Sequence, residues 1–207
     1  MAAIVACLAV TTVFLGCSKD DKEPDPLTYD EGVMINGVTW ATRNVNNPNT
    51  FASSPEDAGM FYQWNSKVGW SSTDPLTSIP NGNTWITPWD GNGAVAWETA
   101  NNVCPEGWRL PTKAELESLG EGEWTTTPAD GLIFGSGDNT IFLPVAGRRN
   151  PVTNELHNVG VYGYYWSSEP ISGTMSYNLV FGESYFSVND EFRKACGFCI
   201  RCVKDSE

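Results

Sequence analysis

The chain has 207 residues, 41% hydrophobic and 18% charged, and its 12% of aromatic residues include nine Trp. Twelve Lys and Arg against 25 Asp and Glu leave a formal net charge of −13, so the basic stripe that neutralises phosphates in a nucleic-acid binder is missing. One His, His157, excludes a His-rich metal site and most triad chemistry, while 20 Gly and 13 Pro with few charges suggest a loop-rich, β-containing domain.

Residues 1–16 are uncharged and apolar (Ile4, Val5, Ala6, Leu8, Val10, Val13, Phe14, Leu15), yet shorter than the ~20 residues that cross a bilayer. A small residue, Gly16, then Cys17 and an abrupt polar stretch resemble a lipoprotein signal, in which Cys17 is acylated and becomes the new N-terminus. Ser18-Lys19-Asp20-Asp21-Lys22-Glu23 resembles the surface-export signal of certain Gram-negative outer-membrane lipoproteins. Between Ser18 and Glu31 two Lys face six Asp or Glu, with Pro24 and Pro26 among them, the composition of a solvated tether. The expected organisation is a signal peptide at 1–16, a lipidated Cys and acidic tether at 17–32, and one folded domain from residue 33. Such a protein is exported and held by its lipid in the outer membrane, facing the cell surface.

Val33-Met34-Ile35, Asn36-Gly37 and Val38-Thr39-Trp40 read as a hairpin, because Asn-Gly accepts the positive φ angles of a type I′ turn. Residues 59–64 form an aromatic strand, and 71–93 a long loop carrying Trp85 and Trp89. Residues 94–103 fit a short helix, with Ala96, Trp97, Ala100 and Val103 on one face. Thr112 and Glu115 form a capping box that starts a second helix, whose apolar stripe is Leu116 and Leu119 and whose end is Gly120. Beyond Leu132 the pattern is strand and turn, with alternation at Tyr177, Leu179, Phe181 and at Phe198, Ile200, Cys202. Two early helices and several late antiparallel strands predict an α+β domain.

With Cys17 lipidated, Cys104, Cys196, Cys199 and Cys202 remain in an exported chain, where disulfides are favoured. Cys202 shares the apolar face of the last strand, and Cys104, at the end of the amphipathic helix expected at 94–103, can lie against it. That bridge closes a span of 98 residues, worth about 4.7 kcal/mol in the chain-entropy model. Cys196 and Cys199 then pair locally across Gly197-Phe198 or stay reduced. Metal work is disfavoured, since zinc needs four soft ligands.

Five separated stretches carry a family resemblance: residues 35–45, Cys104-Pro105-Glu106-Gly107-Trp108-Arg109-Leu110-Pro111-Thr112, Phe142-Leu143-Pro144-Val145-Ala146-Gly147, Tyr165-Trp166-Ser167-Ser168 and Ile200-Arg201-Cys202-Val203. Together they resemble the Fibrobacter succinogenes major paralogous domain, a family of bacterial surface lipoproteins, over about residues 33–204. The resemblance implies a C-type-lectin-like fold with two helices, small antiparallel sheets, long loops and a disulfide from helix to last strand. It implies no defined activity.

Sugar-binding lectins of that type hold Ca²⁺ through Glu-Pro-Asn and Trp-Asn-Asp triplets. Here Glu169-Pro170 is followed by Ile171 and Ser187-Val188-Asn189-Asp190 lacks the Trp, so no metal or other cofactor is expected. Trp40, Trp108 and Trp166 read as core. Trp85 and Trp89 are loop indoles able to stack on a sugar, and the polar, aromatic segment 169–193 supplies the other ligand candidates: Glu169, Tyr177, Asn178, Tyr185, Asn189, Asp190 and Arg193. The expected function is a non-enzymatic, adhesin-like surface lipoprotein binding a glycan, peptide or surface protein, with no nucleic acid. The alternatives are an oxidase resembling the formylglycine-generating enzymes, using Cys196 and Cys199, and a structural subunit of a surface fibre.

Overall fold

Asn36 and Gly37 take φ values of 51° and 86°, the left-handed pair that a two-residue hairpin turn demands, and fold β1 (Val33–Ile35) onto β2 (Val38–Asn44). The computed structural model describes residues 25–91, 93 and 96–205; the signal peptide and the Cys17 lipidation site expected from the sequence lie outside them. β3 (Met60–Gln63), β4 (Gly69–Ser71) and β5 (Ser78–Ile79) form an antiparallel meander. β6 (Trp108–Arg109) leads into α1 (Lys113–Ser118). A second meander follows in β7 (Glu123–Thr125), β8 (Gly131–Ser136) and β9 (Asn139–Pro144), then the small hairpin of β10 (Arg148–Arg149) and β11 (Leu156–His157). The long strands β12 (Gly163–Pro170) and β13 (Met175–Gly182) carry β14 (Tyr185–Ser187) and β15 (Glu191–Arg193), and the chain finishes in β16 (Gly197–Phe198) and β17 (Arg201–Lys204).

Among the described residues strand makes up 40% and helix 5%, with one α-helix. The fold is therefore mostly β, with several antiparallel sheets, which corrects the α+β class and its two helices. The helix that forms is the one with the capping box: Thr112 Oγ1 accepts from the Glu115 N–H at 3.2 Å and Glu115 Oε2 accepts from the Thr112 N–H at 2.7 Å. The other expected helix, 94–103, is reduced to a 3₁₀ turn at Thr99–Asn101. Its backbone donors are committed elsewhere: Trp97 N–H to the Ser168 carbonyl at 2.9 Å and Glu98 N–H to Asn65 Oδ1 at 2.9 Å. Of its expected apolar stripe, Trp97 and Val103 are buried, whereas Ala96 and Ala100 are exposed.

The sheets close the chain by bringing its end between its beginning and its middle. β17 pairs with β2 on one side and β6 on the other, and β16 pairs with β3 and β10. Cys104 and Cys202 form the disulfide read from strand alternation, with Cα atoms 6.1 Å apart. Trp40, Trp108 and Trp166 are buried, and Trp166 stacks on Phe198 with centroids 4.0 Å apart.

Arg201 is fully buried. Its Nε donates to Asn44 Oδ1 at 2.9 Å, and its Nη atoms donate to the Ala41 carbonyl at 3.1 Å and the Phe142 carbonyl at 3.0 Å. Asn44 Nδ2 in turn donates to the Tyr165 oxygen at 3.3 Å, and Tyr165 donates to the Pro144 carbonyl at 3.2 Å. Residues 25–32, expected as tether, dock on the same sheet. Asp30 is buried and accepts from the Thr42 N–H at 3.1 Å, the Thr42 hydroxyl at 2.8 Å and Arg43 Nε at 3.3 Å, and Arg43 also donates to the Pro26 and Tyr29 carbonyls.

Replacing Arg201 by Met strands Asn44 Oδ1 and two carbonyls, so the unfolding free energy should fall by at least about 3 kcal/mol, at ~1–3 kcal/mol per unsatisfied group. Urea denaturation measures this, and a loss below about 1 kcal/mol would contradict the arrangement. The paired Cys104→Ser, Cys202→Ser variant should lose about 2–5 kcal/mol in the same assay.

Candidate functional site

The ligand candidates read from the sequence are distributed over several places. Trp85 is buried edge-on against Trp70, ring centroids 5.2 Å apart, and its indole N–H donates to the Pro151 carbonyl at 3.3 Å. Trp89 is half-buried and donates to the Trp64 carbonyl at 2.7 Å. Both indoles fasten the 71–93 loop to the body of the protein. Glu169 and Tyr177 meet α1: Glu169 Oε2 accepts from the Lys113 N–H at 2.7 Å, and Lys113 Nζ lies 5.1 Å from the Tyr177 ring centre.

Asn178, Tyr185, Asn189 and Asp190 do come together, around the turn between β14 and β15. Buried Asn178 donates to the Asp190 carbonyl at 2.9 Å, and the Asp190 carboxylate accepts from the Tyr185 hydroxyl at 2.9 Å and the Ser187 hydroxyl at 3.0 Å. The Asn189 N–H donates to Ser187 Oγ at 3.2 Å. Hydrogen bonding to Asp190 pushes the Tyr185 phenol above its ordinary value. Arg193 is exposed on β15, opposite Met175.

A concavity of about 810 Å³ opens elsewhere, over the Cys104–Cys202 bridge. Asn102 shapes its wall, since its Oδ1 accepts from the Cys104 N–H at 3.1 Å and its Nδ2 donates to the Trp108 carbonyl at 2.8 Å. Gly107 takes φ 79°, the left-handed region open to glycine, and its carbonyl accepts from the Asp205 N–H at 3.0 Å. Tyr29, Asn49 and Glu106 complete the rim, all of them exposed. Thr99, Asn102 and Asp205 also line an adjoining pocket of about 290 Å³, which adds Trp97, Glu98 and Arg109.

Charge in this groove is lopsided. Glu98, Glu106 and Asp205 bring three carboxylates. The guanidinium of Arg109 is already engaged by Glu115 at 2.8 and 2.7 Å and lies 3.7 Å from Asp205. Burial pushes the Glu115 carboxyl up, but hydrogen bonds from Arg109 and Thr112 outweigh it and hold the group below the usual carboxylate range. The groove thus offers carboxylate and amide oxygens, hydroxyls and aromatic edges. Sequence reasoning passed over Tyr29, which fell within the expected tether, and read 104–112 as framework only. A charged Glu106 beside Gly107 inside an otherwise structural motif was the available signal.

Cys196 and Cys199 are free and buried, so the local bridge that the sequence allowed does not form. They belong to different core clusters, Cys196 with Trp166 and Phe198, Cys199 with Tyr165 and Leu179. Burial pushes the Cys196 thiol up to about 11, against the pull of Arg148, and the Cys199 thiol up to about 12. Neither is a thiolate at neutral pH, the form that nucleophilic and redox chemistry require.

Alkylation of residues 18–207, which leave out Cys7 and Cys17, should therefore leave the folded protein unmodified at pH 7.5 and add two labels after denaturation without reductant, counted by intact mass. Rapid labelling of either thiol in the native state would contradict this placement.

No protein-family model, no curated protein and no solved structure matches the chain.

Proposed function

We propose that the chain is a non-enzymatic binding module of a surface lipoprotein, lipidated at Cys17 and belonging with the Fibrobacter succinogenes major paralogous domain proteins, and that its groove takes a glycan. The groove over the Cys104–Cys202 bridge carries this reading, because its lining suits a neutral polyol. Carboxylate and amide oxygens at Asp205, Glu106 and Asn49 accept from vicinal hydroxyls, and the exposed Tyr29 ring offers a face to the apolar side of a sugar. A chain with net charge −13 repels polyanions at long range but not a neutral saccharide. The walls are held by a disulfide, by Asn102 and by the Arg109–Glu115 pair, so little ordering accompanies binding. The two buried thiols lend no support to the oxidase alternative.

A glycan array probed with the protein should return saturable binders. Asp205→Asn, Glu106→Gln and Tyr29→Ala should each weaken the best binder about tenfold or more, the range for losing a charge-assisted hydrogen bond or a stacked ring, with thermal midpoints unchanged. The absence of any saturable glycan, or a binder indifferent to all three substitutions, would remove the groove from the reading. Cys17→Ser should move the protein from the membrane to the soluble fraction, and continued membrane retention would refute the anchor.

A further inference from the structure

Among the described arginines, Arg43, Arg109 and Arg149 each pair with a carboxylate, Arg201 is caged by Asn44 and two carbonyls, and Arg193 is exposed to solvent on β15. Arg148 on β10 has none of these arrangements, although the chain carries 25 acidic residues. Its guanidinium carbon stands 5.6 Å from the centre of the Tyr164 ring and 5.5 Å from that of Phe192. Among the described residues its buried Nε has no hydrogen-bond partner, and Nη1 makes a weak contact to Cys196 Sγ at 3.9 Å.

A second donor lies beside it. Tyr164 is 4% exposed, and its oxygen accepts from Asn158 Nδ2 at 2.7 Å, while among the described residues its own proton has no acceptor. The β10–β11 register sets His157 opposite Arg148, so the two side chains share a face. A half-buried guanidinium held between two rings and a hydroxyl proton without an acceptor make a donor pair that lacks its anion. Buried donors left unpaired are costly, and native structures seldom keep them without a reason.

The geometry points to a carboxylate. Two coplanar oxygens satisfy one guanidinium fork and one hydroxyl together. A dianion such as phosphate would face the repulsion of a chain with net charge −13 more strongly than a single carboxylate does. From Tyr164 a line of rings leads outward, to Tyr162 with centroids 6.3 Å apart and on to Tyr185 at 6.2 Å, which is 43% exposed. We infer that Arg148 and Tyr164 form a binding site for the carboxylate of an acidic sugar, a uronic or sialic acid residue whose ring lies along Tyr162 and Tyr185. The site is distinct from the groove over the disulfide and shares none of its residues, so either proposal can fail without the other.

The test is calorimetric titration of the full chain with sodium glucuronate, sodium acetate, glucose and inorganic phosphate. Glucuronate should bind saturably, acetate more weakly at the same site for want of a ring to stack, and glucose without dependence on Arg148. Arg148→Gln should abolish glucuronate binding. Tyr164→Phe, which keeps the ring and the packing, should weaken it about tenfold at an unchanged thermal midpoint, and Arg148→Lys should fall between the two. Glucuronate binding that survives Arg148→Gln, or the absence of saturation by either acid, overturns the site. Acetate binding as tightly as glucuronate overturns the saccharide in favour of a free organic acid, and phosphate binding more tightly than glucuronate overturns the carboxylate.

Discussion

A buried guanidinium with no carboxylate partner has to be surrounded by oxygen acceptors, and Arg201 meets that demand from three directions. Asn44 and Ala41 approach from β2 and Phe142 from β9, so β17 is committed to the place where those acceptors converge. The Asn44 amide carries the network on to Ala58 and Tyr165, and Tyr165 to Pro144. Such a chain of bonds is strong in a low-dielectric interior because each member polarises the next, and removing one member leaves the others unsatisfied. The closing strand is therefore positioned by polar chemistry inside an aromatic core, beyond what apolar burial alone would specify.

The groove is a consequence of that closure. Once β17 lies between β2 and β6, Cys202 meets Cys104 and Asp205 emerges beside Gly107, so the disulfide and the carboxylate come to the same wall. The opposite rim comes from the other end of the chain. Asp30 and Arg43 clamp residues 25–32 onto β2, which brings Tyr29 over the bridge. The candidate site is thus built from the two ends of the domain plus the turn after Cys104.

The long 71–93 loop is ordered by the same kind of device. Arg149 is fully buried and donates to the Ser71, Thr73 and Asn154 carbonyls at 2.8, 2.7 and 2.7 Å. Trp85 and Trp89 add indole hydrogen bonds to the body. Arg148, next to Arg149 but on the other face of β10, has no such carbonyl partners among the described residues, and that contrast between adjacent arginines marks it as a residue with a different use.

Local chemistry made parts of this protein legible. The Asn36-Gly37 hairpin, the Thr112–Glu115 capping box and the strand alternation that paired Cys202 with Cys104 each depend on residues close in sequence or on one face of a strand. The 94–103 helix was misjudged because its apolar spacing was right while its backbone donors were taken by Asn65 and Ser168, which sequence proximity does not reveal. Trp85 and Trp89 looked like ligand platforms for a similar reason, since an indole in a loop reads the same whether its N–H meets solvent or a carbonyl of the core. Sequence by itself determined the turns, the cap, the bridge and the acidic character, all set by short-range stereochemistry or by counting. Tertiary structure alone decided that the fold is mostly β, that Tyr29, Glu106 and Asp205 share a groove, and that Arg148 stands without an acid, because each depends on which distant partner a polar group finds once the core has closed.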